Sequence, residues 1–163
     1  MSDRLATGAL VATTVGCGLV TGLLLAFSVC VMSALGRLPA AHGAAAMQTI
    51  NVAIQNPVFG LVFAGATAGS AYAAASALLG WGQPGTAPRL FGGVLFLVGV
   101  LVLTLVRNVP LNDALAAVDP QDPAASAVWE HYLRVWTSWN HVRVVAGTVA
   151  TALLVLSLRS PIV

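Results

Sequence analysis

The chain has 163 residues, of which 58% are hydrophobic and 7% charged, with a formal net charge of +2. A soluble domain is usually about one-quarter charged, and a chain this short cannot hide so much apolar surface from water, so lipid must solvate much of it. The basic residues are all arginines, scattered from Arg4 to Arg159, which excludes the basic stripe of a nucleic-acid binder.

The first apolar run, Leu5 to Leu35, carries no charge. A helix rises about 1.5 Å per residue, so about 20 residues cross the hydrocarbon. The run therefore predicts a span over 7–35, and it is too long for the core of a cleaved leader. Cys17 and Cys30 both fall inside it. Their helical separation of about 20 Å is beyond disulfide reach, and both are expected to pack as small hydrophobes. Gly18 with Gly22, and later Gly65 with Gly69, have the spacing that lets helices approach closely in lipid; packing of the bundle is the expected use.

The next uncharged stretch, from Arg37 to Arg89, is too long for one crossing and breaks between His42 and Pro57. Met47, Ile50 and Ile54 share one helical face there, and Gln48, Asn51 and Gln55 another, which predicts a short amphipathic interfacial helix. Asn56-Pro57 has the form of an N-cap and first-turn proline, opening a second span over 58–79. Gly80, Gly82, Pro84, Gly85 and Pro88 mark a turn, and a third span follows over 90–106.

Pro110, within Asn108-Val109-Pro110-Leu111-Asn112, argues against simple continuation of that helix and frees carbonyls upstream. The two asparagines either satisfy those carbonyls or line a polar pocket between helix ends. Asp122-Pro123 is a second cap signal, and Trp129, Tyr132, Trp136, Trp139 and Arg143 follow at helical spacing. The last helix is thus expected to begin near Ala124, outside the lipid, and to cross over 142–158. The sum is an all-α, four-transmembrane-helix bundle with short interfacial helices in the first and third loops, forming one domain over 1–163.

Four crossings place the first and third loops on the same side. That side collects His42, His131, His141, Gln48, Asn51, Asn56, Asn108, Asn112, Asp113, Glu130 and Asn140, with four of the seven arginines. Ionisable groups at membrane depth are costly and mark function. Arg143 is the strongest case: it either snorkels to headgroup phosphates or holds an anionic group of a substrate. Trp129, Trp136 and Trp139 form either an interfacial aromatic belt or the wall of a slot for a flat ligand. No CxxC or HExxH occurs. No metal is expected; a metal on His42, His131 or His141, with Glu130 or Asp113, would have to be assembled across loops.

Met47-Gln48-Thr49-Ile50-Asn51 with Asn56-Pro57, then Asn108 to Asn112, then Trp136-Thr137-Ser138-Trp139-Asn140-His141-Val142-Arg143 together resemble the anthrone oxygenase-like family of small four-helix membrane proteins. The resemblance implies the fold, and a membrane oxidoreductase of the monooxygenase type. Such an enzyme oxidises an anthrone-like or other hydrophobic aromatic substrate with molecular oxygen, in principle without a cofactor. On that reading Arg143, Asn108, Asn112 and Asn140 hold a developing oxyanion. His141 or His131 serves as base, because imidazole ordinarily titrates near neutral pH. Trp136 and Trp139 stack on the rings, and Gln48 and Asn51 complete the substrate site. The alternative is a non-enzymatic membrane module that binds a lipid, a small hydrophobic ligand or a partner protein. The weight of Arg4, Arg89 and Arg159 against the deeper arginines favours cytoplasmic termini in a plasma membrane of bacterial type.

Overall fold

The computed structural model describes residues 2–159. Helix α1 (Arg4–Leu35) leads into a shorter α2 (Ala40–Ala53), followed by α3 (Pro57–Leu79), α4 (Thr86–Ala116) and α5 (Ala125–Ser157). Helices α1, α3, α4 and α5 are each long and apolar enough to cross a membrane, which makes this an integral membrane protein. Helix α1 packs against α3 and α5, and α4 packs against the same two. The four therefore close a ring in which each neighbour runs antiparallel to the next.

Lengths decide the rest of the architecture. Helices α1, α4 and α5 run 32, 31 and 33 residues, well beyond the roughly 20 that the hydrocarbon needs. Helix α3 has only 23, so the other three outgrow it at the end where α3 begins. Helix α2 occupies that space. Gly43 lies beside the Leu35 carbonyl at the top of α1, and Ile54 and Asn56 lie with Leu19 and Leu23 further down. Helix α2 thus descends alongside α1 and stops where α3 starts. Asn56 makes the junction: its Oδ1 accepts from the backbone N–H groups of Val58 and Phe59, with Pro57 in the first turn. The cap satisfies two of the donors that every helix start leaves open.

The result is a bundle with two cores. The lower is apolar and built from Leu10, Cys17, Val20, Phe96, Val100, Ala150 and Leu154. The upper is aromatic and sulfur-rich, with Met32, Met47, Leu115, Trp129, Tyr132 and Trp136. Trp129 stacks on Tyr132, and Tyr132 on Trp136, with ring centroids 5.8 and 5.7 Å apart. Each such pair contributes about 0.5–1.5 kcal/mol beyond its buried area.

Several local expectations are revised. Helix α4 does not stop at Pro110. It widens into π-helical turns over Leu97–Val102 and Thr104–Asn108, then continues as α-helix over Val109–Ala116. The wider turn accommodates the missing proline N–H and the bulk of its ring, which a regular α-turn cannot. Asp122 accepts from the Ala124 N–H as a turn before α5, rather than capping it directly. Cys17 is buried, but Cys30 is exposed. Gly18 and Gly22 do not close a helix contact but line an open groove between α1 and α5, whereas Gly69 packs against Thr13. Arg89, at the sparsely polar end, is 5% exposed.

Gly43 sets how closely α2 approaches α5. A Cβ there would come within 2.8 Å of the Trp129 ring and 2.9 Å of the Leu35 carbonyl. Gly43→Ala is therefore expected to destabilise the protein by about 1–3 kcal/mol through overpacking. Gly22→Ala, with nothing within 4 Å of the added carbon, is expected to be neutral or mildly stabilising. Thermal melting of both variants in detergent checks the contrast.

Candidate active site at the junction of the two cores

Between the apolar core and the aromatic core lies a band of hydrogen-bonded polar side chains from α1, α4 and α5. Its centre is Asn140, fully buried on α5. The Asn140 amide nitrogen donates to the Leu24 carbonyl and to Ser28 Oγ, both at 2.8 Å. Leu24 stands one turn before a π-helical turn over Phe27–Val31. Such turns are rare inside α-helices and recur at functional sites. With both amide hydrogens donated to α1, Asn140 Oδ1 faces the other way and accepts from Arg143 Nη2 at 2.7 Å. These partners fix the orientation of the amide.

Arg143 is 4% exposed. Its other terminal nitrogen donates to Thr104 Oγ1 at 3.0 Å, and Thr104 in turn donates to the Val100 carbonyl within the π-helical part of α4. The guanidinium also lies 5.2 Å from the centre of the Trp136 ring, a cation–π contact. Its Nε is buried without a partner. Among the described residues, neutral groups alone hold this charge: an amide, a hydroxyl and an indole face. A buried cation without a counter-anion is costly. Asn108, 1% exposed, donates to the Trp136 carbonyl at 3.2 Å while its Oδ1 is unpartnered.

Above this band, Asn112 Oδ1 accepts from both the Tyr132 hydroxyl and Trp136 Nε1, each at 2.8 Å. Asn51 reaches the same Tyr132 hydroxyl at 3.5 Å. Gln48 donates to the carbonyls of Leu115 and Val118, at 2.8 and 3.0 Å, and so caps the C-terminal end of α4. Of the expected polar face of α2, Gln48 and Asn51 therefore turn inward together with Met47, while Gln55 and Val52 are left outside. Apolar moment alone misses this, because the polar side chains of α2 have carbonyls and a phenol to satisfy.

The sequence-derived residues thus separate into two groups. Asn108, Asn112, Asn140, Arg143, Trp136 and Asn51 are linked through Trp136 and Tyr132, whereas Gln48 lies beyond them at the end of α4. His141 borders the group: it is exposed, with Nδ1 2.9 Å from Ser28 Oγ. Trp139 and His131 stand apart. Trp139 is half-buried beneath the Arg107 guanidinium, 4.9 Å from its ring centre, and His131 is exposed on the outer side of α5. Trp136 was expected as the wall of a ligand slot, but Tyr132, Phe27 and Arg143 pack around its ring. It is 5% exposed, so a ligand stacks on it only if one of them gives way. His42, His131 and His141 do not gather; among the described residues, no three His, Cys, Asp or Glu side chains are placed to share a metal. Ser28, Thr104, Tyr132 and Phe27 were not singled out as site residues, since a lone hydroxyl in an apolar run carries no pattern.

A groove of about 580 Å³ lies between α1 and α5, lined by Gly18, Thr21, Gly22, Leu25, Thr148 and their apolar neighbours. It opens to the lipid and ends about one helical turn from Ser28 on α1.

The family described as anthrone oxygenase matches residues 47–153. No curated protein and no solved structure matches the chain. The matched segment runs from the middle of α2 to near the end of α5 and holds the site residues above except Leu24, Phe27 and Ser28, which α1 supplies.

Asn112 is the acceptor on which two buried donors depend. Asn112→Ala should strand the Tyr132 hydroxyl and the Trp136 indole and cost about 2–4 kcal/mol, with a change in Trp fluorescence. Asn112→Asp, which keeps the acceptor oxygen, should cost less. Equal losses in the two variants, measured by thermal or denaturant unfolding in detergent, would show that the shared acceptor is not what matters.

Proposed function

Because the chain belongs to the anthrone oxygenase family, we propose that it is a membrane-embedded oxygenase that converts an anthrone-like or similar hydrophobic aromatic substrate to its quinone with molecular oxygen. The observation that carries this reading is the buried, carboxylate-free Arg143. Its unpartnered Nε is a preformed donor for an oxygen that becomes negative during reaction.

The chemistry follows from that cation. An anthrone carries an acidic C–H opposite its carbonyl. Removing the proton moves electron density onto the carbonyl oxygen and leaves an electron-rich anion. Oxygen takes up electrons from that anion and adds at the former C–H carbon. Protonation and loss of water then give the anthraquinone, so that anthrone and O2 become anthraquinone and water. The protein must take the proton, hold the oxyanion and keep water away from the anion. Arg143, oriented by Asn140 and Thr104, holds the oxyanion, and His141 at the edge of the band takes the proton. The groove between α1 and α5 brings a lipid-soluble substrate to this end of the bundle, where oxygen is also plentiful. In this reading the substrate's own electron density activates oxygen, and metal analysis of the purified protein checks it.

The close packing of the band favours a second reading, in which the same residues lock the end of the bundle and a lipid or small hydrophobic ligand occupies the groove without turnover. One experiment separates the two. Oxygen uptake by purified protein with emodin anthrone is measured against a protein-free control, because anthrones autoxidise. Arg143→Gln is expected to lower the enzyme-dependent rate about a hundredfold or more, the scale seen on removing one oxyanion donor, while the protein remains folded. A folded Arg143→Gln with an unchanged rate would remove Arg143 from catalysis. A wild-type rate equal to the control would favour the lock.

A further inference from the structure

Ser28 lies outside the matched family segment, on the π-helical turn of α1, and it touches two of the residues on which the proposed reaction rests. Its Oγ accepts from Asn140 Nδ2 at 2.8 Å and stands 2.9 Å from His141 Nδ1. A serine hydroxyl has one hydrogen and two lone pairs. One lone pair takes the Asn140 N–H. The Leu24 carbonyl, the usual acceptor one turn back for a helical serine, is already bonded by the same Asn140 amide. Ser28 makes no hydrogen bond to that carbonyl, so His141 Nδ1 is the acceptor within reach of its hydrogen, and with Ser28 as the donor of this contact the ring tautomer is set.

This has a definite consequence for the imidazole. When His141 is neutral, Nδ1 accepts from Ser28, so the ring proton sits on Nε2. The nitrogen with a lone pair then points inward at Ser28, and the nitrogen carrying hydrogen points outward, since His141 is exposed. An imidazole in that tautomer cannot take a proton through its outward nitrogen. It takes one through Nδ1, and Ser28 Oγ occupies the approach.

We infer that Ser28 and His141 form a single proton-accepting unit, in which Ser28 Oγ meets the acidic C–H or O–H of the substrate and passes its own hydrogen to His141 Nδ1. The inference rests on the proposed oxygenase reading and deepens it. The bookkeeping closes. The substrate C–H bond breaks and leaves its electron pair on the substrate. Ser28 gains that proton as it gives its original hydrogen to Nδ1, and His141 becomes an imidazolium. The imidazolium then returns its Nδ1 proton through Ser28 to the peroxide that oxygen forms on the substrate, which supplies the proton needed for loss of water and restores the Nε2–H tautomer. Asn140 joins the two halves of the site, because one carboxamide donates to Ser28 at one end and accepts from Arg143 at the other. Proton removal and oxyanion formation are thus held in fixed register.

Two measurements on the full-length protein test this. The first needs no turnover. In 15N-histidine spectra recorded well above neutral pH, with the His141 signals assigned by His141→Gln, wild type should show mainly the Nε2–H tautomer. Ser28→Ala should move that population toward a mixture of tautomers, and Ser28→Thr, which keeps a hydroxyl, should restore it. A tautomer ratio unaltered by Ser28→Ala overturns the inference, whatever the protein's activity. The second is a double-mutant cycle on anthrone-dependent oxygen uptake. Ser28→Ala and His141→Gln should each lower kcat about tenfold or more, and the double variant should be no worse than the worse single one. Multiplying losses would mean independent roles and would also overturn it. If wild type shows no turnover, the oxygenase reading fails, and the tautomer experiment alone still decides whether Ser28 governs His141.

Discussion

The structure depends on how one charge is kept inside a membrane protein. Arg143 is buried at the level where α3 begins, and neutral partners hold it: Asn140, Thr104 and the Trp136 face. Leaving a cation there without an anion is expensive, and the surrounding fold is arranged around that cost. The π-helical turns of α1 and α4 bring Leu24, Ser28 and Thr104 into the band. Asn140 then ties α1 to the guanidinium through both ends of its amide. The apolar core below and the aromatic core above keep bulk water from the site from either direction. A purely structural device at this position would be better served by a hydrophobic residue of similar volume. A retained charge with a spare N–H is what stabilisation of a transient oxyanion calls for.

Membrane thickness explains the rest of the architecture. Helices of unequal length cannot all end at the same level. Because α3 is the short one, a gap opens over its N-terminus, and α2 fills it. Gln48 then caps α4, and Asn51 meets the Tyr132 hydroxyl. The aromatic stack on α5 is thus covered by a helix whose polar side chains answer polar groups inside. The same arrangement separates a lipid-open groove from the polar band by about one turn of α1, a suitable place for a substrate that arrives from the bilayer and reacts at its edge.

Much of this is legible in the sequence because the lipid simplifies the code. Uncharged runs long enough to span, the Asn56-Pro57 cap and the helical spacing from Trp129 to Arg143 each have one physical reading, and even threading then brings Asn108, Asn112, Asn140 and Arg143 to one end. What is not legible is what periodicity cannot register. A π-helical turn shifts the register inside an apolar run without any change in composition, so Ser28 and the Leu24 carbonyl give no signal. Pro110 suggests a helix end, because the sequence does not show that the preceding turns can widen to accept it. Gln48 and Asn51 on the polar face of α2 suggest water, because their true partners, two carbonyls and a phenol, are distant in the chain. Trp139 and Trp136 look equivalent by spacing. One is half-exposed under Arg107 while the other is enclosed, since three residues turn a helix by about 300° and not by a full turn.

The central claim, that the site holds an oxyanion on Arg143, is tested most directly without turnover. A hydroxyanthraquinone changes colour when its phenol ionises, so its ionisation can be followed while it is bound to the purified protein. If Arg143 stabilises an oxygen anion, the bound molecule should ionise at a lower pH than the free one, and Arg143→Gln should abolish the difference. A bound molecule that ionises at the same pH as the free one, or at a higher pH, would contradict the account.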